Sequence, residues 1–107
     1  MQVQINTDHN IEGREAMAAE VIGVVVGALE RFSDRITRVE VHLSDENGPK
    51  HGENEKRCMM EARLKGRGPI AVTRHAMTIE QAVHGAAHDL IRVIEKTLGR
   101  AAHSTDS

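Results

Sequence analysis

The spacing of apolar residues changes along the chain, and this change constrains the fold more than any other feature. Apolar residues recur at every second position in four stretches and at every third or fourth position in two others. The first spacing is typical of a strand with one buried face, the second of a helix with one buried stripe. The order β-α-β-β-β-α follows, with strands at residues 2–6, 38–43, 58–65 and 70–75 and helices at residues 12–31 and 79–98.

This order predicts an α+β fold built as a two-layer sandwich. A helical crossover between the first two strands makes them parallel, and the shorter connections that follow predict an antiparallel meander. Each strand has one apolar face, so both helices are expected on the same side of a four-stranded mixed sheet. The chain is long enough for one domain, which we assign to residues 1–99, with a flexible tail at residues 100–107.

The first helix contains the segment VIGVVVG at residues 21–27, whose local preference is ambiguous. Its β-branched residues and its two glycines lower helix propensity, so a strand is the competing interpretation. Apolar spacing persists on both sides of the segment, and we therefore expect a deeply buried helix. In the alternative, Ile22 or Val26 faces outward and forms a patch for a homodimer or a protein partner.

The second helix has clear boundary signals. Thr78 and Gln81 have the spacing of a capping box, with Thr78 as the N-cap residue. An apolar stripe follows through Val83, Leu90 and Ile94, and Gly99 is expected to end the helix.

Composition limits the kinds of partner. The chain has 14 Lys and Arg against 16 Asp and Glu, so binding to nucleic acid requires its cations to be gathered on one face. Phe32 is the single aromatic residue, which leaves phosphates and 2′-hydroxyls rather than stacked bases as RNA contacts. The sequence has no apolar run that would span a membrane and no secretory signal, which predicts a cytoplasmic protein without membrane contact.

Few residues in the sequence indicate a catalytic or metal-binding site. The lone Cys58 falls in the apolar set of the third strand and is expected to be a buried small hydrophobe. His84 and His88 have the i, i+4 spacing that zinc uses, but HGAAH lacks the glutamate of HExxH and no third ligand is evident. We predict no enzyme activity, no metal site and no cofactor.

Three segments resemble the ribosome hibernation-promoting factor and ribosome-associated translation inhibitor family. They are MQVQI at the start, LERFSDRITRVEVHL at residues 29–43, and GPIAVTRHAMTIEQAVHGAAHDLIRVIEKTLGR at residues 68–100. The resemblance covers nearly the whole chain except residues 44–56 and the tail, and Asp34-Arg35-Ile36 is its most specific piece. It implies a fold like that of double-stranded-RNA-binding domains.

The resemblance also implies a function without catalysis. Family members bind the small ribosomal subunit and its rRNA near the decoding region and silence translation, largely through basic residues on both helices. The basic positions of the family's second helix are occupied here by Arg92, Lys96 and Arg100, which share one helix face. The alternative is that these three cations only solvate the end of a helix.

Arg35 and Arg74 are expected to extend this basic surface toward rRNA, the alternative being ordinary surface charge paired with carboxylates. The chain departs from the family pattern at Val24, Val25 and Ala28, where relatives often carry lysines, and at Asp89, where a basic residue is expected. These departures motivate a second hypothesis, a divergent non-ribosomal member that acts as a homodimer or a protein-interaction module.

Overall fold

A computed structural model describes residues 1–8, 14–45 and 55–106, apart from the side chains of Arg14 and of residues 100–106. The elements confirm the predicted order and add a short 3₁₀ helix after the first helix. In chain order they are β1 (Gln2–Thr7), α1 (Arg14–Leu29), the 3₁₀ helix (Glu30–Phe32), β2 (Ile36–Asp45), β3 (Lys56–Leu64), β4 (Pro69–Ala76) and α2 (Ile79–Asp106).

The four strands form one mixed sheet in the order β1-β2-β3-β4. β1 is parallel to β2, with Val3 opposite Val39, as the helical crossover predicts. β2 and β3 are antiparallel, and so are β3 and β4. The register places Met60 between Val41 on one side and Val72 on the other, so apolar residues of neighbouring strands meet on one face.

Both helices cover that apolar face, as predicted. The fully buried side chains with the largest volumes include Leu29 of α1, Met60 of β3 and Leu90 and Ile94 of α2. No polar or charged residue in the described part of the chain is buried. The core is therefore held by apolar burial, at about 25 cal/mol for each Å² removed from water.

The segment VIGVVVG is helical, but it is not deeply buried throughout. Val21 and Val25 are buried against the sheet, whereas Ile22 is 38% exposed and Val26 is 42% exposed. The expectation of a deeply buried helix is wrong for these two residues. A helix turns once in 3.6 residues, so seven consecutive residues cannot all face one sheet.

The second helix is longer than predicted, because it does not end at Gly99 but continues to Asp106. A glycine that ends a helix usually adopts a positive φ, and within the described chain only Gly66 does so. Ala101 and Ala102 follow, and alanine has the highest helix propensity. The side chains of residues 100–107 lie outside the described part, so the flexibility of this tail stays a prediction. None of the described helices has an apolar stretch long enough to cross a bilayer.

The predicted N-cap of α2 is present. The hydroxyl oxygen of Thr78 accepts a hydrogen bond from the backbone N–H of Gln81 at 3.1 Å. The return bond from the Gln81 side chain, which would complete a capping box, is absent from the described contacts. Thr78 therefore satisfies one of the N–H groups that a helix leaves unpaired at its start.

Replacing Thr78 by alanine removes this cap, and we expect the free energy of unfolding to fall by about 1 kcal/mol. Urea denaturation followed by circular dichroism measures the change. Thr78→Ser is the matched control, because serine keeps the hydroxyl and should retain most of the stability. Equal losses in the two variants would contradict a capping role for the hydroxyl.

Candidate nucleic-acid interface

Arg92 and Lys96 lie next to each other on the solvent-facing side of α2. They are separated by four residues, or about 6 Å along the helix axis, and both are exposed. Together with Asp89 and Val93 they line a shallow surface cavity of about 280 Å³. Neither forms an ion pair with any side chain that the structure describes. Their charges are therefore available to a partner, whereas the side chain of Arg100 lies outside the described part.

Arg74 reaches the same helix, but a carboxylate already holds it. Its Nε and Nη2 atoms donate to the two oxygens of Asp89 at 3.0 and 2.9 Å, which is a bidentate pair. The hydrogen bond from Arg74 holds the pKa of the Asp89 carboxyl below its ordinary value. Arg74 was predicted as an rRNA contact, and the structure places it beside the surface with its charge balanced.

Gly85 makes this pair possible. A Cβ atom added at Gly85 would lie 2.8 Å from Cγ and 2.9 Å from Nε of Arg74. The glycine therefore lets the Arg74 side chain cross α2 close to the backbone and reach Asp89 one turn further along. The sequence marks Asp89 as a departure from the family pattern, but no pattern around it indicates Arg74 as its partner. A glycine in a helix interior was the available signal, because it often marks a close approach of another group.

Arg35 lies at the corner between the 3₁₀ helix and β2. Its carbonyl oxygen accepts a hydrogen bond from the backbone N–H of Lys65 at 2.9 Å, which joins this corner to the turn between β3 and β4. The neighbouring Arg31 spans to α2 and pairs with Glu95 at 3.0 Å. The Arg35 side chain is exposed, and it forms no ion pair within the described chain. The corner thus adds the exposed cations Arg35 and Lys65 where β3 turns toward β4.

Cys58 is completely buried in β3, as predicted, and burial raises the pKa of its thiol to about 12. A thiol with so high a pKa has almost no thiolate at neutral pH and is a poor nucleophile. The described residues contain no group of three His, Cys, Asp or Glu side chains arranged to hold a metal ion. His84 and His88 instead line an open groove between α1 and α2.

A family model described as sigma 54 modulation protein / S30EA ribosomal protein matches residues 3–102. The chain belongs to this family. The match spans both helices and all four strands, so it includes the positions of Arg35, Arg74, Arg92, Lys96 and Arg100. No curated protein sequence matches the chain.

Two solved structures have the same fold. The Protein Y N-terminal domain from Thermus thermophilus has a TM-score of 0.71 and 19% sequence identity, over 91% of this chain and 99% of that one. A ribosomal subunit interface protein from Coxiella burnetii has a TM-score of 0.68 and 16% identity, over 92% of this chain and 99% of that one. At these identities the likeness concerns the fold.

The pair between Arg74 and Asp89 makes the stability of the protein depend on pH. Because the pKa of Asp89 is lowered on folding, the pair stabilises the protein fully above about pH 5, and this contribution is lost as the pH falls through the folded-state pKa. Arg74→Gln removes the main cause of the lowered pKa. We expect an NMR titration of the Asp89 carboxyl carbon to give a higher pKa in this variant than in the unmodified protein.

Arg67→Gln is the control, since Arg67 is an exposed arginine in the turn between β3 and β4. It removes the same charge without touching Asp89, so the Asp89 titration should stay as it is in the unmodified protein. If the pKa of Asp89 is the same in Arg74→Gln as in the unmodified protein, the pair does not persist in solution.

Proposed function

We propose that this protein is a ribosome-associated translation inhibitor of the hibernation-factor type, which binds the small ribosomal subunit through phosphates of its rRNA. The observation that carries the proposal is the pair of exposed, unpaired cations Arg92 and Lys96, in a chain that belongs to the S30EA family. It acts by occupying space on the subunit rather than by catalysis, in the cytoplasm where ribosomes work.

The charge distribution supports contact with phosphate rather than with bases. Two carboxylates near α2 are already bound to arginines, Glu95 to Arg31 and Asp89 to Arg74. Their negative charges are thereby balanced locally, and Arg92 and Lys96 are the cations of this face that form no ion pair with the described residues. RNA duplexes are recognised largely through phosphates, 2′-hydroxyls and shape, and such contacts need cations but no aromatic platform.

The remaining predicted site residues have secondary roles in this proposal. Arg35 adds an exposed cation at the corner joined to Lys65, and Arg100 follows Lys96 by four residues in the sequence. Arg74 still has the donors of its Nη1 atom free of Asp89, but its balanced charge makes it a weak phosphate contact. We therefore expect Arg92 and Lys96 to contribute most of the affinity.

The double variant Arg92→Gln, Lys96→Gln tests the proposal. Each phosphate contact contributes roughly 0.7 to 0.9 units to the slope of log affinity against log salt. Removing two contacts should flatten that slope by about 1.5 units and release the protein from small subunits at moderate salt. Co-sedimentation with purified small subunits over a series of salt concentrations measures both effects.

The control is Arg57→Gln, Arg63→Gln, which changes the net charge equally. Arg57 and Arg63 alternate in β3 with the buried residues Cys58 and Leu64, so they lie on the face of the sheet away from both helices. This variant should bind as the unmodified protein does. The absence of co-sedimentation at low salt, or equal losses in the two double variants, would contradict the proposal.

A second candidate function is self-association, favoured by the exposure of Ile22 and Val26. Gly23, Val24 and Gly27 line the groove with α2, and Ile22 and Val26 lie on the opposite flank of α1. That flank is on the side of β1, an edge strand that pairs only with β2 among the described strands. An apolar patch beside an open strand edge is a common site of association between chains.

Sedimentation velocity tests self-association over a range of protein concentrations. If this flank forms a dimer, Ile22→Asp, Val26→Asp should raise the dimer dissociation constant at least about tenfold, because it buries unpaired charge. Ala16→Asp introduces a charge at an exposed α1 position outside the patch and should leave the dimer intact. A monomer at every concentration would rule out this second function.

A further inference from the structure

Four basic side chains form a continuous ridge along α2. His84, His88, Arg92 and Lys96 follow each other at intervals of four residues, and all four are exposed. Residues four apart on a helix are neighbours on its surface, so the ridge runs without a break for about 18 Å. We call these four residues the α2 ridge. Its first half consists of histidines and its second half of permanent cations.

The ridge crosses the helix obliquely. Each step of four residues turns about 40° around the axis, so the two halves face different surroundings. His84 and His88 face the groove of about 350 Å³ between the two helices, whereas Arg92 and Lys96 line the cavity on the outer side of α2. A polyanion that lies on Arg92 and Lys96 and continues along the ridge therefore enters the groove beside the histidines.

The opposite wall of the groove leaves room for such a strand. α1 contributes Gly23 and Gly27 there, and a Cβ atom added at either position would meet nothing within 4 Å. The groove floor is formed by small or apolar side chains, which include Val24, Ala28 and Ala87. An incoming phosphate would thus find the two histidines as the polar groups of this part of the groove.

Charged groups of both helices and of β4 lie around the histidines. His84 lines a second part of the groove together with Glu20 of α1 and Glu80 of its own helix. His88 is next to Asp89 and one turn from Arg92, and Asp89 is bound to Arg74 of β4. From the 3₁₀ helix, Arg31 is bound to Glu95. β3 contributes the buried apolar residues Cys58, Met60, Ala62 and Leu64 to the core.

We propose that His84 and His88 are the proton-controlled half of the RNA-binding surface, so that the affinity for an RNA phosphate backbone rises as the pH falls from about 8 to about 6. The proposal rests on the function proposed above and assigns to it a regulation by pH. Histidine is the side chain whose charge ordinarily changes in this interval. Protonation of both histidines would lengthen the row of positively charged side chains from two residues to four.

The direction of this pH dependence follows from the linkage between proton binding and phosphate binding. A phosphate beside each imidazole stabilises the protonated form, so the complex holds more protons than the free protein, and by reciprocity added protons strengthen binding. Two further contacts should steepen the salt dependence by roughly 1.5 units and tighten binding at about pH 6 by about tenfold or more relative to about pH 8.

The test measures binding of purified small ribosomal subunits at about pH 6 and about pH 8, at fixed ionic strength, for four proteins. The unmodified protein should bind at least about tenfold tighter at the lower pH. The variant His84→Gln, His88→Gln should lose this difference between the two pH values. Arg92→Gln, Lys96→Gln should bind more weakly at both pH values but keep the ratio between them.

His42→Gln, His75→Gln is the matched control, because both of these histidines lie on the face of the sheet away from the helices. It should behave as the unmodified protein, and it corrects for any effect of pH on the subunit itself. Calorimetry in buffers of different ionisation enthalpy gives a second readout, with net proton uptake on binding that disappears in His84→Gln, His88→Gln.

The outcomes separate this proposal from the function on which it rests. Binding that is equally tight at both pH values, or a pH response that survives in His84→Gln, His88→Gln, overturns the proton-controlled ridge and leaves the ribosomal function standing. An absence of binding by the unmodified protein at either pH and at low salt overturns both.

Discussion

The burial of one side of α2 against β3 and β4 determines which of its residues can meet a partner. Leu90 and Ile94 are completely buried, and fully burying a side chain of this size stabilises the protein by about 1.5 to 3 kcal/mol. Rotating the helix would expose both, so its orientation on the sheet is fixed. The opposite side, which carries Arg92 and Lys96, is consequently held toward solvent.

Apolar spacing was enough to predict the fold and the side of each strand and helix that is buried. Alternation along β2 and β3 identified the face that packs on the helices, and the stripe through Val83, Leu90 and Ile94 identified the buried side of α2. Because these signals come from residues close together in the sequence, they can be recognised without knowledge of the tertiary structure. The helix boundary at Gly99 was wrong because a glycine ends a helix only where it adopts the left-handed conformation, which Gly99 does not, and the alanines that follow favour continuation of the helix.

The candidate site was only partly predictable for the same reason. The sequence placed Arg92 and Lys96 on one face, since both belong to one helix. The pairing of Arg74 with Asp89 depends on how β4 and α2 are placed relative to each other, and no local pattern encodes that placement. Likewise the groove beside His84 depends on which residues α1 presents to α2. The arrangement of side chains within one element was predicted, whereas the contacts of individual side chains between elements required the structure.

The two helices carry different kinds of exposed side chain, and this difference explains how an acidic chain can present a basic surface. On its described surface, the central part of α1 around Val24 and Gly27 supplies no charge to the groove, only apolar floor and open space. Of the two helices, α2 therefore supplies the cations without an ion pair, Arg92 and Lys96, while Arg74 and Arg31 balance its nearest carboxylates from outside the helix. Net charge is a poor guide to such a surface, because screening limits charge interactions at the surface to roughly 8 to 10 Å, and only the local arrangement acts on a phosphate.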